Sequence, residues 1–157
     1  KNIKDDPTEV TINFLTPTRI KYNPTGRRGD SILLKQPEFH HIIRRLRDRV
    51  SILSKLYCGE QLKVDYDPIV ESAKSIKVKD SDLTWHHQTR KSRTMVDSSG
   101  QRASQDQSGF TGTISFVGEL RQFMPLLLLG QYIHIGEDTT FGSGWYRVDT
   151  ANIPGHS

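Results

Sequence analysis

Only one of the 157 residues is cysteine, Cys58, so the chain forms no internal disulfide and cannot by itself supply a thiolate zinc site. No apolar run approaches the ~20 residues that a membrane helix needs. No signal-peptide pattern opens the chain, and no internal repeat runs through it. The acids Asp65, Asp67, Glu71, Asp80 and Asp82 follow no recognisable metal-ligand spacing, and Asp65-x-Asp67 runs into Pro68 instead of continuing as a calcium loop. Neither a metal nor a cofactor is expected, and the default setting is the prokaryotic cytoplasm. The first residue is Lys1, not methionine, which suggests processing or excision from a longer protein.

What is present is basic and polar. Lysine and arginine number 22 against 18 acids, a net charge of +4 with pI ≈ 9.3, and 34% of residues are hydrophobic. Residues 1–9 read as a polar entry segment. Val10–Phe14 alternates apolar and polar residues, the mark of a half-buried strand, and Thr16-Pro17-Thr18 ends or bends it. Arg19 to Lys35 reads as a basic loop or ragged hairpin. From Pro37 to Tyr57, apolar residues recur at helical spacing, with Pro37 suited to the first turn and Gly59 to a left-handed cap. A shorter helix is predicted over Pro68–Ser75. Strand signals follow at Ile76–Val78 and Leu83–Trp85. Residues 86–108 are almost devoid of apolar side chains and read as an exposed loop or a long hairpin with a mobile tip. Gly109–Gly118 alternates again. Arg121–Leu129 predicts a short helix, apolar all round and so deeply buried, capped by Gly130, and Trp145–Val148 predicts a last strand.

Without the small helix the order is β-α-β-β-α-β. That is the ferredoxin-like, RNA-recognition-motif-like α+β plan, with a four-stranded antiparallel sheet and helices on one face. Residues 10–150 form the domain and 151–157 an unpatterned tail.

The segment from Gly130 to Gly144 holds four glycines, Gly130, Gly136, Gly142 and Gly144. Glycine permits positive backbone angles and close approach of a phosphate to bare N–H groups. It is no Walker loop, because no Gly-Lys-Ser/Thr follows, and no dinucleotide fingerprint, because a helix precedes it and a strand follows. A tight turn between helix and strand explains a bare glycine pattern equally well. The full string is more specific. Leu126-Leu-Leu-Leu-Gly-Gln-Tyr-Ile-His-Ile-Gly136 followed by Thr139-Thr-Phe-Gly-Ser-Gly-Trp-Tyr-Arg-Val148 resembles the C-terminal signature of the CRISPR-associated repeat-RNA processing endoribonucleases, the Cas-six family. Phe110–Gly118 resembles the family's preceding strand, and Phe14-Leu-Thr-Pro-Thr-Arg-Ile-Lys21 its Thr-Pro-x-Arg strand.

The resemblance implies two tandem ferredoxin-like domains that bind the repeat of a CRISPR transcript and cut it without metal, in antiviral defence. The glycine-rich loop of the C-terminal domain helps to bind RNA. This chain has room for one such domain. It is expected to be the C-terminal half, an N-terminal partner domain being missing. Its partners would then be CRISPR repeat RNA and other CRISPR effector subunits, with no membrane. The RNA-binding residues implied in the loop are Gly136, Thr139, Thr140, Gly142, Ser143 and Gly144. Glu137 stands where the family often has lysine, and Asp138 follows. Either these acids face away from RNA, or RNA touches only the Gly142–Gly144 end.

Metal-free RNA cleavage needs a base for the 2′-hydroxyl proton and an acid for the leaving 5′-oxygen, and histidine suits both. His86 and His87 stand at the mouth of the polar loop near Arg90, Lys91 and Arg93, which makes them the candidate catalytic residues. Adjacent histidines at a strand end are also ordinary exposed polar residues, and strand alternation would send them to opposite faces. His134 reads as a loop brace, and His40 and His41 as exposed. Between Arg19 and Arg49 there are nine Lys/Arg against three acids, a local balance of +6. Arg44, Arg45 and Arg47 on the long helix, with Arg90, Lys91 and Arg93, are the candidate phosphate contacts. Trp145 and Tyr146 offer a stacking face, with core packing the expected use of at least one. Cys58 reads as a small packing residue. A protein-interaction role within a CRISPR ribonucleoprotein, without cleavage, is the competing reading.

Overall fold

Alternation along β1 (Glu9–Thr18) buries Val10, Ile12 and Phe14 on one side and leaves Thr11 and Asn13 on the other. In the computed structural model, which describes residues 7–59 and 67–150, this strand is the heart of the sheet. Elements follow in the order β2 (Ile20–Tyr22), β3 (Ile32–Leu34), α1 (Phe39–Cys58), α2 (Asp67–Ala73), β4 (Lys77–His86), β5 (Thr89–Val96), β6 (Arg102–Asp106), β7 (Gly109–Val117), α3 (Met124–Ile133) and β8 (Tyr146–Asp149). The main sheet has the order β4-β7-β1-β8, every pair antiparallel. With α1 and α3 this is the expected ferredoxin-like fold, elaborated by the small hairpins β2–β3 and β5–β6 and by α2.

The core lies between one sheet face and the two main helices. Phe39 at the start of α1 meets Phe116 of β7 at 5.0 Å and Phe123 at 5.1 Å, both near edge-to-face. Phe14 meets Phe110 at 5.0 Å and Tyr146 at 5.8 Å. Ile42, Ile43 and Leu46 of α1 and Leu127 of α3 complete the layer. The opposite face carries Thr11, Asn13, Thr113, Ser115, Asp82 and Arg147 in paired register, and no helix covers it among the described residues.

Several expectations change. The signals at 76–78 and 83–85 are one ten-residue strand, β4, whose β-bulge falls between Val78 and Asp80 and hides the alternation. Residues 89–106, expected as a loop or hairpin, form the two-stranded β5–β6 hairpin. Pro37 lies outside α1, one residue before its N-cap Glu38. The apolar stripe of α1 is buried only as far as Leu46, and Ile52, Leu56 and Tyr57 are exposed. Arg49 Nε bonds the carbonyl of Ile133, the last residue of α3, so α1 runs on past its neighbour's end. Cys58 is exposed and does not pack.

Gly130 does not cap its helix but lies inside it, and α3 continues to Ile133. A Cβ at Gly130 would collide with the Tyr146 hydroxyl and with Leu46. That hydroxyl donates to the Leu127 carbonyl at 2.7 Å, and burial pushes its pKa far above the usual phenol range. Nor is α3 buried all round. Leu127 is buried, while Leu128 and Leu129 are 37% and 44% exposed, because only one side of the helix meets the sheet.

His41 is buried, not exposed. The Glu38 N–H donates to its Nδ1 at 3.1 Å, closing the first turn of α1, and Tyr22 packs edge-on at 4.7 Å. The cap needs an unprotonated Nδ1. Burial, aided by the charges of His40 and Arg44, lowers the His41 pKa from 6.5 to about 4. Burial also lowers that of half-buried His40.

Two outcomes follow from this packing. Gly130→Ala should cost about 1–3 kcal/mol by overpacking, in spite of alanine's better helix propensity, and Tyr146→Phe in the same chain should recover part of the loss in thermal unfolding. The unfolded chain takes up a proton on His41 near pH 6.5 and the folded chain only near pH 4. Stability is therefore fully present above pH 6.5 and falls by roughly 1–3 kcal/mol as pH drops towards 4. Urea titrations at pH 7.5, 5.5 and 4.5 should show this slope, and His41→Asn should flatten it.

Candidate nucleic-acid interface

The segment between α3 and β8 is held against the end of β1 by backbone bonds. Gly144 N–H donates to the Pro17 carbonyl at 3.1 Å and Glu137 N–H to the Arg19 carbonyl at 3.0 Å. Ile135 N–H donates to the Gly144 carbonyl at 2.9 Å, closing the loop on itself. Trp145 N–H donates to Thr16 Oγ1 at 2.9 Å, and the Trp145 carbonyl accepts from Leu15 N–H at 2.9 Å. Pro17, which has no N–H, serves here as an acceptor only.

These bonds give each glycine a different task. A Cβ at Gly136 would strike the Arg19 carbonyl, and one at Gly144 the Ile135 carbonyl. Both glycines are required by packing. Gly142 also has positive φ (87°), but a Cβ there would meet nothing within 4 Å. It ends a short 3₁₀ turn over Thr139–Phe141. The open end of the segment is thus the turn from Thr139 to Ser143. His134, at φ 61°, faces back into the loop, its Nδ1 lying 3.2 Å from the Ser143 carbonyl.

Charged side chains gather around this turn from distant parts of the chain. Arg90 of β5 lies over the Phe141 ring at 4.4 Å, tying the β5–β6 hairpin to the turn. Arg19 pairs with the Asp106 carboxylate at 3.2 Å and donates to the Asp106 carbonyl at the base of the same hairpin. Arg19 Nε is buried without a partner among the described residues. Ser108 donates to Asp106 through its hydroxyl and its backbone. These bonds, then the charges of Arg19 and His87, hold the Asp106 carboxyl below the usual carboxylate range. Lys21 pairs with Glu137 at 3.3 Å, so this acid is turned towards β2. Arg45 donates to the Lys21 carbonyl.

The candidate residues therefore separate into groups. Gly136, Thr139, Thr140, Gly142, Ser143, Gly144 and Arg90 lie together, with Arg45 behind β2. His87 stands beside Trp85, ring centroids 6.5 Å apart, on the hairpin side near Asp106. His86 ends β4 on the other sheet face, where its Nε2 is 2.6 Å from Thr111 Oγ1. Lys91 and Arg93 are exposed on β5, and Arg44 is exposed on α1; none has a carboxylate partner among the described residues. Arg47 is committed elsewhere, to Asp48 at 2.7 Å and Asp67 at 3.3 Å. Tyr146 is core, and Trp145 is 39% exposed beside Arg147, which lies 5.9 Å from its ring.

Arg19, Lys21, Phe141 and Asp106 were not singled out as site residues from the sequence. The pair Arg19 and Lys21 had a signal, two cations two residues apart just past a strand-ending proline. Asp106 had none, since its partner is 87 residues away. No group of three metal-ligating side chains occurs among the described residues. No helix among the described residues is long and apolar enough to cross a membrane.

Comparison with known proteins is consistent with this architecture. The family model described as CRISPR-associated endoribonuclease Cas6 matches residues 12–146. Among solved structures, the chain is similar to one titled a partial Cas6-RT-Cas1–Cas2 complex, with TM-score 0.63 and 15% identity over 99% of this chain and 25% of that one. It is similar to Thermus thermophilus Cas6, with TM-score 0.61 and 18% identity over 92% of this chain and 55% of that one. A Cas6 product complex gives TM-score 0.53 and 20% identity over 93% of this chain and 53% of that one. The chain thus spans about half or less of the length of these structures, and at such identities the likeness shows the fold. No curated protein matches at a significant level. With the family model matched over most of its length, the chain belongs to the CRISPR-associated endoribonuclease Cas6 family.

Proposed function

We propose that this chain is the C-terminal, RNA-binding domain of a Cas6 endoribonuclease that processes precursor CRISPR RNA in the cytoplasm by metal-independent cleavage in or near the repeat. The observation that carries the reading is the turn at Gly142, open on its outer side, with Arg90 over its Phe141 ring and with Lys91 and Arg93 exposed further along the same strand, without a carboxylate partner among the described residues. The N–H groups of Phe141, Gly142 and Gly144 are spent on the Asp138, Thr139 and Pro17 carbonyls, so a phosphate at this turn would be met by the Thr140 and Ser143 positions on its outer side and by the basic hairpin next to it. The pairing of Glu137 with Lys21 offsets the charge of that acid, which supports the reading, while Asp138 stands at the start of the turn itself.

If the chain also cuts, the 2′-hydroxyl attacks the adjacent phosphorus, the P–O5′ bond breaks, and the products end in a 2′,3′-cyclic phosphate and a 5′-hydroxyl. The candidate base or acid is then His86 or His87, with Arg90, Lys91 or Arg93 stabilising the phosphorane. His86 turns to Thr111 on the uncovered sheet face, whereas His87, just past the end of β4, stands beside Trp85 near the hairpin base, which favours His87 for a site shared with the Gly142 turn.

The glycines give the first test. Gly142→Asn, which tolerates positive φ, should leave the melting temperature nearly unchanged and weaken repeat-RNA binding about tenfold, while Gly136→Ala should lower stability because its Cβ meets backbone. Equal effects of both on stability, with no effect of either on binding, would remove the phosphate role. The second test is one assay of end-labelled repeat RNA with this chain, in chelator, at two salt concentrations. Salt-dependent binding is expected. The log–log slope should shrink by roughly 0.7 for each phosphate that Arg90→Ala or Arg93→Ala leaves without its cation. Cleavage abolished by His87→Ala, but not by His86→Ala, would put the active site within the chain. No preference for repeat RNA and no salt effect would overturn the proposal in favour of a protein-interaction domain of a CRISPR ribonucleoprotein.

A further inference from the structure

The β5–β6 hairpin is built of polar residues. Between Thr89 and Asp106 the apolar side chains are Met95, Val96 and Ala103 alone. Met95 and Val96 are neighbours at the far end of β5, 66% and 65% exposed. The backbone that carries them is fixed. Between the pairs Lys91–Ser104 and Val96–Arg102, four residues of β5 face one of β6, so β5 is bulged from Ser92 to Met95. Ser92 Oγ accepts from the N–H groups of Thr94 at 3.3 Å and Met95 at 2.9 Å, in place of ladder bonds. Past Val96 the turn is closed by Asp97. Its N–H donates to the Gln101 carbonyl at 2.8 Å, and its carboxylate accepts from Ser99 N–H at 2.8 Å and Gln101 N–H at 3.1 Å. Met95 and Val96 thus sit between a braced bulge and a braced turn, and presenting them to a partner costs little further ordering.

Charge decides what the pair meets. Arg93 stands two residues before Met95, and Arg102 lies opposite Val96. Both arginines are exposed, and neither has a carboxylate partner among the described residues. The two acids of the hairpin are already engaged, Asp97 in its turn and Asp106 with Arg19. The tip is therefore an apolar point between free cations, which suits a polyanion with apolar faces between its charges. We infer that Met95 and Val96 form a wedge that enters between two bases of a bound RNA, while Arg93 and Arg102 hold the phosphates beside the parted step. The inference rests on the RNA-binding reading of the chain and adds to it a contact with the bases.

Methionine and other apolar side chains part base steps because they leave water and gain the faces of the bases. Parting a step costs stacking, and costs least where stacking is already interrupted, at the end of a paired segment, a bulge or a loop. Neither side chain offers a strong hydrogen bond to a base edge, so the wedge selects a place in the folded RNA rather than a base. The spacing fits a single RNA molecule. Met95 is five positions on from Arg90, which lies over Phe141 of the Gly142 turn, so the Cα atoms of the two residues are at most about 17 Å apart.

Repeat RNA carrying 2-aminopurine at one position at a time tests this with the whole chain, since that base brightens when it is unstacked. Saturating protein should raise the fluorescence at least about twofold at one step. Met95→Ser with Val96→Ser should abolish the rise and weaken binding about tenfold, with the salt slope kept. Arg93→Ala with Arg102→Ala should do the reverse, shrinking the log–log slope by roughly 0.7 for each lost phosphate contact and keeping the rise at saturation. Met95→Leu with Val96→Ile leaves the tip apolar and should keep the rise. All four side chains are exposed, so thermal unfolding should show the same melting temperature for every variant. No rise at any position while RNA stays bound, or an unchanged rise in the serine variant, would overturn the wedge and leave the RNA-binding reading standing. Failure of the native chain to bind RNA at all would overturn both.

Discussion

The close approach of two backbones, the end of β1 and the loop that enters β8, is the constraint on which the candidate site depends. Glycine at 136 and 144 allows the loop to lie against Pro17 and Arg19 without a side chain between them. Once there, the loop cannot shift without losing several backbone bonds. Its outer turn at Gly142 is therefore presented in one place, next to Arg90 and the hairpin base. The same docking brings Glu137 to Lys21 and sets Tyr146 at the head of β8, where its hydroxyl meets α3 over Gly130. Loop, strand and helix are thus coupled through three glycines, each excluded from side-chain bulk by a different neighbour.

Positive charge in this molecule has two uses, and the difference lies in what each cation touches. Arg45 and Arg49 donate to backbone carbonyls of β2 and α3, and Arg47 is held by two aspartates. These arginines hold elements together, as planar multi-donor groups do well. Arg44, Lys91 and Arg93 have no such duty among the described residues and remain open to an anion. Arg19 stands between the two, paired with Asp106 yet retaining a buried Nε without a partner among the described residues. A local balance of +6 in the sequence therefore overstates the charge available for binding.

Two polar groups buried beside the core have defined partners. His41 is kept neutral by burial and caps α1, and the Tyr146 hydroxyl donates a hydrogen bond to a helix carbonyl. Each such group costs desolvation that only its partner offsets. This ties the neutral form of a histidine, and the absence of a side chain at Gly130, to the packing of α1 and α3.

The amino-acid sequence by itself determined the fold class, because alternation in β1 and β7 and the helical spacing in α1 are local patterns that survive without tertiary contacts. It also determined that the glycine-rich segment is special, since four glycines within a short span, followed by an aromatic strand, are legible as a string. Where apolar residues ran without a break, in Leu126–Leu129, it could not say which side is buried, since that depends on the surface the helix meets. A bulge hid the continuity of β4, because one extra residue inverts the alternation on which the reading relies. Only the tertiary structure decided that Gly136 and Gly144 serve packing while Gly142 faces outward, that Arg45 and Arg47 are engaged within the molecule, and that Arg19 and Asp106 meet. Those outcomes depend on atoms brought together across up to 87 residues of chain, and no local pattern encodes such contacts.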